Sequence, residues 1–304
     1  MKRLLALVAV LVLTFLSFSS FAVNRSTEKF PLRDQYDVTI IETPELKQRF
    51  DQFVIVDVRS KYEYDTLRVR GAQHISMSDP HFLDLVRDVQ KRNPGKPVLF
   101  YCNGTTCRKS YDAAAHCEMA GISDTVVYDA GIHEWATTHP GLALLFGRAP
   151  GREDLISDAE FKRYVVSSKE FGELVEANQG TRAIVLDIRD RIQRDWLPWP
   201  MRGTKHVPLD QSERIDRVIE QAKKEGKFLL VYDATGHQIR WFQYYLKQKG
   251  ATNYRLMKGG AQAYFDYRYG GPEPVKEIAK RPEATPAEVG GLVRVKGKVA
   301  VPKR

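Results

Sequence analysis

Hydrophobic and polar positions fall into two stretches that pass through the same elements in the same order. The runs Phe53-Val-Ile-Val-Asp57-Val-Arg59 and Ala183-Ile-Val-Leu-Asp187-Ile-Arg189 are almost wholly apolar and rich in β-branched residues, as expected of parallel strands covered on both faces. Each leads to an Arg-Gly pair and a histidine, Arg70-Gly71 with His74 and Arg202-Gly203 with His206. A helical spacing follows, with Phe82, Leu85, Val86 and Val89 in one copy and Ile215, Val218 and Ile219 in the other. Second apolar runs, Pro97 to Tyr101 and Lys227 to Tyr232, end in polar loops. Helices are predicted over 109–119 and 238–248, each closed by a glycine, Gly121 or Gly250. Thr125 to Gly131 and Tyr254 to Gly260 each read as a last strand entering a glycine turn, with an aromatic helix start at Trp135 or Tyr264. Strands alternating with helices predict the α/β class: two tandem domains, each a small parallel sheet with helices on both faces.

The length of 304 residues suits two domains. The joint falls near residue 150, in the polar segment 147–158, beside a short helix from Ser157 to Tyr164. Ser157 with Glu160 three residues on matches the capping box there. The expected division is a leader over 1–22, one domain over 28–150, a second over 151–275 and a flexible basic tail over 276–304.

Lys2 and Arg3, the uncharged run 4–22 and the small residues Ser20 and Ala22 have the pattern of a secretory signal peptide. The run is also close to the ~20 residues that span a bilayer, so an uncleaved anchor with membrane association stays open. Both place the bulk of the chain outside the cytoplasm, in the periplasm or an equivalent exported compartment. The net charge of +9 is spread along the chain, and no Arg/Lys run is interleaved with aromatics, so nucleic acid is not an expected partner. His74, His81, His116, His133 and His139 show no ligand spacing with the cysteines, and no nucleotide motif occurs, so no metal or cofactor is expected.

The three cysteines, Cys102, Cys107 and Cys117, lie in one short stretch. A disulfide framework would spread them over both halves, so the clustering points to chemistry. Cys117 falls inside a predicted helix and reads as a small buried apolar residue. Cys102 ends a strand and opens the loop Asn103-Gly104-Thr105-Thr106-Cys107-Arg108 before Lys109 starts the helix. Backbone N–H groups and the helix dipole make such a loop an anion cradle that favours a thiolate. Gly104 allows a positive φ that other residues resist, Thr105 and Thr106 add hydroxyl donors, and Arg108 adds a charge shaped for oxyanions. In the second copy Asp233 stands where Cys102 stands, before Ala234-Thr-Gly-His237-Gln-Ile-Arg240.

Both halves resemble rhodanese domains, from about Val38 to about Tyr269. The residues that carry the resemblance are Asp57-Val-Arg59 with Glu63-Tyr64, Arg70-Gly71-Ala72 with His74-Ile75, Tyr101-Cys102 through Arg108-Lys109-Ser110, and Gly131 with Trp135. It implies a thiosulfate:cyanide-type sulfurtransferase. Cys102 takes sulfane sulfur from a small anionic donor such as thiosulfate and holds it as a persulfide. It then passes the sulfur to cyanide, a thiol or a protein thiol. Cys102 and Arg108 are the candidate catalytic residues; Asn103, Gly104, Thr105, Thr106, Cys107 and Lys109 are the candidate binding residues. Asp57 and Arg59 either fix the strand ends beside the loop or form only a buried ion pair.

The chain departs from the family pattern in three places. The Cys-x5-Arg loop is one residue longer than usual, a length similar to that of phosphatases and arsenate reductases of the same fold. Tyr101 stands where phosphatases often carry a histidine, and no general acid can be named. Cys107 permits a disulfide with Cys102, which makes a thiol-redox protein a rival, testable because the two Cα atoms must come within ~4.4–6.8 Å. Asp233 cannot carry sulfur and would repel an anion, so the second domain is expected to be inactive, stabilising its partner or walling the cleft. His237 and Arg240 are candidates for ligand binding there. Trp196, Trp199, Trp241, Phe242, Tyr244 and Tyr245 form either an interdomain core or a docking face, with core or interface packing the favoured role. A non-catalytic protein that binds anions or sulfur species is the remaining alternative.

Overall fold

The computed structural model describes residues 29–178, 180–197 and 203–270, so the leader, Trp199 and the basic tail lie outside the described residues. The chain separates into two compact units that meet between Ala149 and Pro150. Among the described residues no helix is long and apolar enough to cross a membrane.

In the first unit β1 (Val54–Asp57) is followed by β2 (Leu67–Val69), β3 (Gln73–His74), β4 (Val98–Tyr101), β5 (Thr125–Tyr128) and β6 (Ala143–Leu145). The main sheet has the order β3-β1-β4-β5, all parallel, with Val54 opposite Val98 and Asp57 opposite Tyr101. Ile40 bridges Val127 at its outer edge, and β2 pairs antiparallel with β6 apart from the main sheet. Alternate residues serve opposite faces. Val54, Val56, Val98 and Phe100 pack with Phe82, Val86 and Val89 from helix Phe82–Arg92 and with Tyr111, Ala114 and Cys117 from helix Lys109–Met119. Tyr128 turns the other way, edge-on to Trp135 in helix Gly131–Thr138, and its hydroxyl meets Thr43 of helix Thr43–Gln48.

The second unit repeats this plan with β7 (Val165–Val166), β8 (Ala183–Asp187), β9 (Lys205–His206), β10 (Phe228–Tyr232) and β11 (Tyr254–Met257) in the parallel order β7-β11-β10-β8-β9. Phe171, Val175, Ala261 and Tyr264 cover Val185, Leu230 and Met257 on one face. Helices Ser212–Lys224 and Ile239–Gln248 bury Ile215, Val218, Trp241 and Phe242. Ser157 caps the helix Asp158–Tyr164 through the Glu160 N–H as expected. The Glu160 carboxylate goes to Lys247 at 3.2 Å.

The order β3-β1-β4-β5 places the chain's change of direction between β1 and β4. In open parallel sheets the crevice beyond the carboxyl ends at such a point is where ligands bind. Cys102 follows β4 there, beside the end of β1.

Candidate active site

β4 is central and apolar because it is covered on both faces, and it carries Cys102 to a position only 1% exposed. Helix Lys109–Met119 then starts with Arg108 as its N-cap residue. Inside the loop the Cys107 N–H donates to the Gly104 carbonyl at 2.9 Å, a turn that brings Cys107 back toward the strand end. Cys102 and Cys107 are joined as a disulfide with Cα atoms 6.2 Å apart, inside the range that a disulfide requires. Cys107 is half-buried while its partner is fully buried. Cys117 lies in the core, free and inert, its thiol pushed up to about 12 by burial.

A buried polar network grips the start of the loop. Asp57 and Arg59 form a fully buried ion pair, with Arg59 Nη2 2.6 Å from Asp57 Oδ2 and Arg59 Nε 2.9 Å from Oδ1. The other arm of the guanidinium, Nη1, donates to Asn103 Oδ1 at 3.1 Å. Asn103 Nδ2 in turn donates to Glu63 Oε1 at 2.9 Å, and Glu63 Oε2 accepts from the Ser60 N–H and hydroxyl. Tyr101 O–H donates to Asp57 Oδ2 at 2.5 Å and accepts the Val69 N–H at 3.1 Å. Sequence reading left two roles open for Asp57 and Arg59. The structure joins them, because the ion pair reaches the loop through Asn103.

Charge balance follows from the same contacts. Burial works to raise the Glu63 carboxyl, but the Arg59 charge and the bonds from Asn103 and Ser60 outweigh it and hold it below its ordinary value. Burial and the Asp57 charge push the Tyr101 phenol well up, so it stays a donor. Glu63 carried the resemblance in the sequence but had no role there. Its capping position, three residues after Ser60, was legible, but its second bond, to Asn103, depends on the tertiary fold.

Gly131 closes the loop from the other side. Its φ is +71°, and a Cβ there would lie 2.6 Å from both Asn103 C and Gly104 Cα. Such an approach is open only to glycine. The Ile132 N–H donates to the Cys102 carbonyl at 3.0 Å. Gly104, which allows a positive φ, does not adopt one; its Cβ position is 3.5 Å from the Ala130 carbonyl, ordinary contact. The steric demand falls on the glycine that faces the loop.

Arg108, expected as a charge for oxyanions, lies at the helix surface. Its side chain is 65% exposed, Nε donates to the Tyr36 hydroxyl at 2.9 Å, and Nη2 lies 3.8 Å from Asp112. Tyr36 donates to Asp112 at 2.6 Å and stacks on Tyr111. The guanidinium is thus engaged at the helix surface. Thr105 is half-buried, Thr106 exposed and Lys109 half-buried. Ser110, on the first turn of the helix, is buried, and its hydroxyl has no hydrogen-bond partner among the described residues. Asp129, after β5, holds Arg33 at 2.7 Å and Tyr111 at 2.6 Å and fixes the same helix from the side.

The second unit shows what becomes of this loop without the cysteine. It is one residue shorter, since helix Ile239–Gln248 starts six positions after Asp233 whereas helix Lys109–Met119 starts seven after Cys102. The Ala261 N–H donates to the Asp233 carbonyl, matching Ile132 and Cys102. The Asp233 carboxylate, 3% exposed, accepts the N–H groups of Gly236 and, at 2.5 Å, Gln238. The expectation that Asp233 merely repels an anion is therefore revised: it is the anion, supplied by the chain to its own cradle. Burial lifts its carboxyl above the ordinary value, against those N–H bonds.

Asp187 and Arg189 repeat the buried pair, but Ala234 offers Arg189 no amide, and the guanidinium goes to the Leu197 carbonyl at 2.7 Å. Arg240, a candidate ligand group, is paired with Asp158 at 2.6 Å and lies over Phe161; His237 meets Thr235. Of the aromatic cluster, Trp241, Phe242 and Tyr244 are buried, whereas Trp196 is 86% exposed rather than packed. Among the described residues no group of His, Cys, Asp and Glu is arranged to hold a metal ion.

Comparison with known proteins places the chain among rhodanese-like sequences. A model of the rhodanese-like domain matches residues 42–138, which contain the Cys102 loop and its network. Thiosulfate sulfurtransferase GlpE of Pseudomonas entomophila (strain L48) is 30% identical over 97 residues, 32% of this chain and 82% of that relative. The crystal structure of a thiosulfate sulfurtransferase from Pseudomonas aeruginosa aligns with a TM-score of 0.35 at 18% identity, over 75% of this chain and 42% of that one. The wild-type structure of EanB aligns with a TM-score of 0.34 at 16% identity, over 77% of this chain and 62% of that one. The chain spans less than two thirds of the length of either solved protein.

Proposed function

The chain belongs to the rhodanese family, and from that premise we propose that it is a sulfurtransferase whose carrier is Cys102. In its reduced form the Cys102 thiolate attacks the outer sulfur of thiosulfate. The S–S bond of the donor breaks, sulfite leaves with the electron pair, and a persulfide remains on Cys102. A nucleophilic acceptor, cyanide or a thiol, then attacks the outer sulfur of the persulfide and releases the thiolate.

The observation that carries this reading is the placement of Cys102 at the carboxyl end of a central parallel strand. A helix N-terminus follows within one loop, and Asn103 is fastened to both Arg59 and Glu63. Such a loop holds its N–H groups in place before an anion arrives, so little reorganisation is needed when charge builds on sulfur. Arg59, Asn103 and Glu63 act as positioning residues. Arg108 lies on the helix surface, where it can draw an anionic donor toward the loop. The second unit, with Asp233 in its cradle, is non-catalytic in this reading.

A second reading rests on the disulfide itself, since Cα atoms 6.2 Å apart suit a reversible dithiol. Intact mass separates the two. Reduced protein given thiosulfate gains one sulfur atom if Cys102 is a carrier, Cys102→Ser gains none, and cyanide discharges the adduct. A protein that takes no sulfur and only loses two hydrogens in air is a redox protein. We also propose export through residues 1–22, either cleaved or kept as an anchor. N-terminal sequencing of the protein recovered from the soluble exported and the membrane fractions decides between the two.

A further inference from the structure

We propose that Cys107 resolves the Cys102 persulfide within the loop and releases its sulfur as hydrosulfide, so that the protein reduces sulfane sulfur without an external sulfur acceptor. The inference rests on the Cys102 carrier reading and adds a second activity to it. Three observations support it. The Cys102–Cys107 bond in the structure joins the two γ sulfurs, so Cys107 can reach the inner sulfur of a persulfide on Cys102. Cys107 sits in the loop that is one residue longer than its counterpart, and the turn from its N–H to the Gly104 carbonyl aims it back at the strand end. Cys107 is tethered beside Cys102, so it meets the persulfide at a higher effective concentration than an acceptor from solution.

The chemistry balances. The Cys107 thiol loses its proton, and its sulfur attacks the inner sulfur of Cys102–S–S⁻. The bond to the outer sulfur breaks, hydrosulfide leaves carrying that proton, and the Cys102–Cys107 disulfide forms. The two cysteines are oxidised by two electrons and the sulfane sulfur is reduced by two. An external dithiol reductant then attacks at half-buried Cys107 and restores both thiols. Over a full cycle thiosulfate and the dithiol give sulfite, hydrogen sulfide and a disulfide.

The test is a single turnover. Fully reduced protein, freed of reductant and kept anaerobic, receives thiosulfate with no cyanide or thiol added, and sulfite, sulfide and intact mass are followed. The expected result for the parent is one sulfite and one sulfide per chain, with the mass of the disulfide form. Cys107→Ser and Cys107→Ala are expected to give sulfite but no sulfide and to keep one added sulfur atom. A parent that keeps the added sulfur and yields no sulfide overturns the proposal, as do variants that release sulfide like the parent. If neither parent nor variants give sulfite or gain sulfur, the carrier reading itself fails and this inference falls with it.

Discussion

Replacing Gly131 by alanine tests the geometry that holds the cysteine loop, and its cost can be worked from two separate terms. The first is conformational: at a φ of +71° an alanine pays about 1–2 kcal/mol for a left-handed backbone. The second is steric. The new Cβ would stand 2.6 Å from Asn103 C and Gly104 Cα, both backbone atoms, so the loop must move as a whole. Overpacking of that kind costs about 1–3 kcal/mol. Together Gly131→Ala should lose about 2–5 kcal/mol. Gly121→Ala provides the reference, because Gly121 has nearly the same φ, +72°, with nothing within 4 Å of its Cβ position. It lies in the same unit and should lose only the first term. Urea unfolding of the reduced proteins, followed by near-UV circular dichroism, measures both. The displaced Asn103 should also lower the rate of sulfur loading in Gly131→Ala but not in Gly121→Ala. If the two variants lose equal stability and load sulfur at equal rates, the close approach of Gly131 to the loop does not act as described.

Other outcomes follow from the polar network and the two cradles. Glu63→Gln should cost about 1–3 kcal/mol at neutral pH, because Asn103 and Ser60 lose a charged acceptor. The folded-state pKa of Glu63 is depressed, so its contribution exists above the ordinary glutamate value and disappears as pH falls through the folded value; the gap between parent and variant measured by urea titration should therefore narrow in acid. Asp233→Ala should free the N–H groups of Gly236 and Gln238. Sulfate should then raise the melting temperature of the variant more than that of the parent, and equal shifts would show that the carboxylate does not fill an anion site. Cys102→Ser should remove sulfur loading altogether, as read by intact mass.

The sequence by itself determined the α/β class and the repeat. Near-continuous, β-branched apolar runs such as 53–59 and 183–189 are what strands covered on both faces require, and loop glycines mark where the helices stop. It also marked the candidate site, because a cysteine between a buried strand and a helix start, with Gly, Thr and Arg around it, is a local pattern. Asp233 likewise announced a changed second site from its position alone. What only the tertiary structure decided is where each side chain spends its hydrogen bonds. Asn103 meets Arg59 across 44 residues and Glu63 across 40, contacts set by strand order rather than by spacing along the chain. Arg108 had the right type and place for the sulfur, yet Tyr36, brought in from 72 residues away, draws it to the helix surface. Trp196 looked like a packing residue by type but lies on a short surface helix. Gly104 was legible as a residue free to take a positive φ, but it is Gly131, 27 residues later, that takes one, because close approach is a property of two elements meeting. Asp233 followed the same rule. Its charge was visible in the sequence, but only the folded loop turns that charge back into its own cradle.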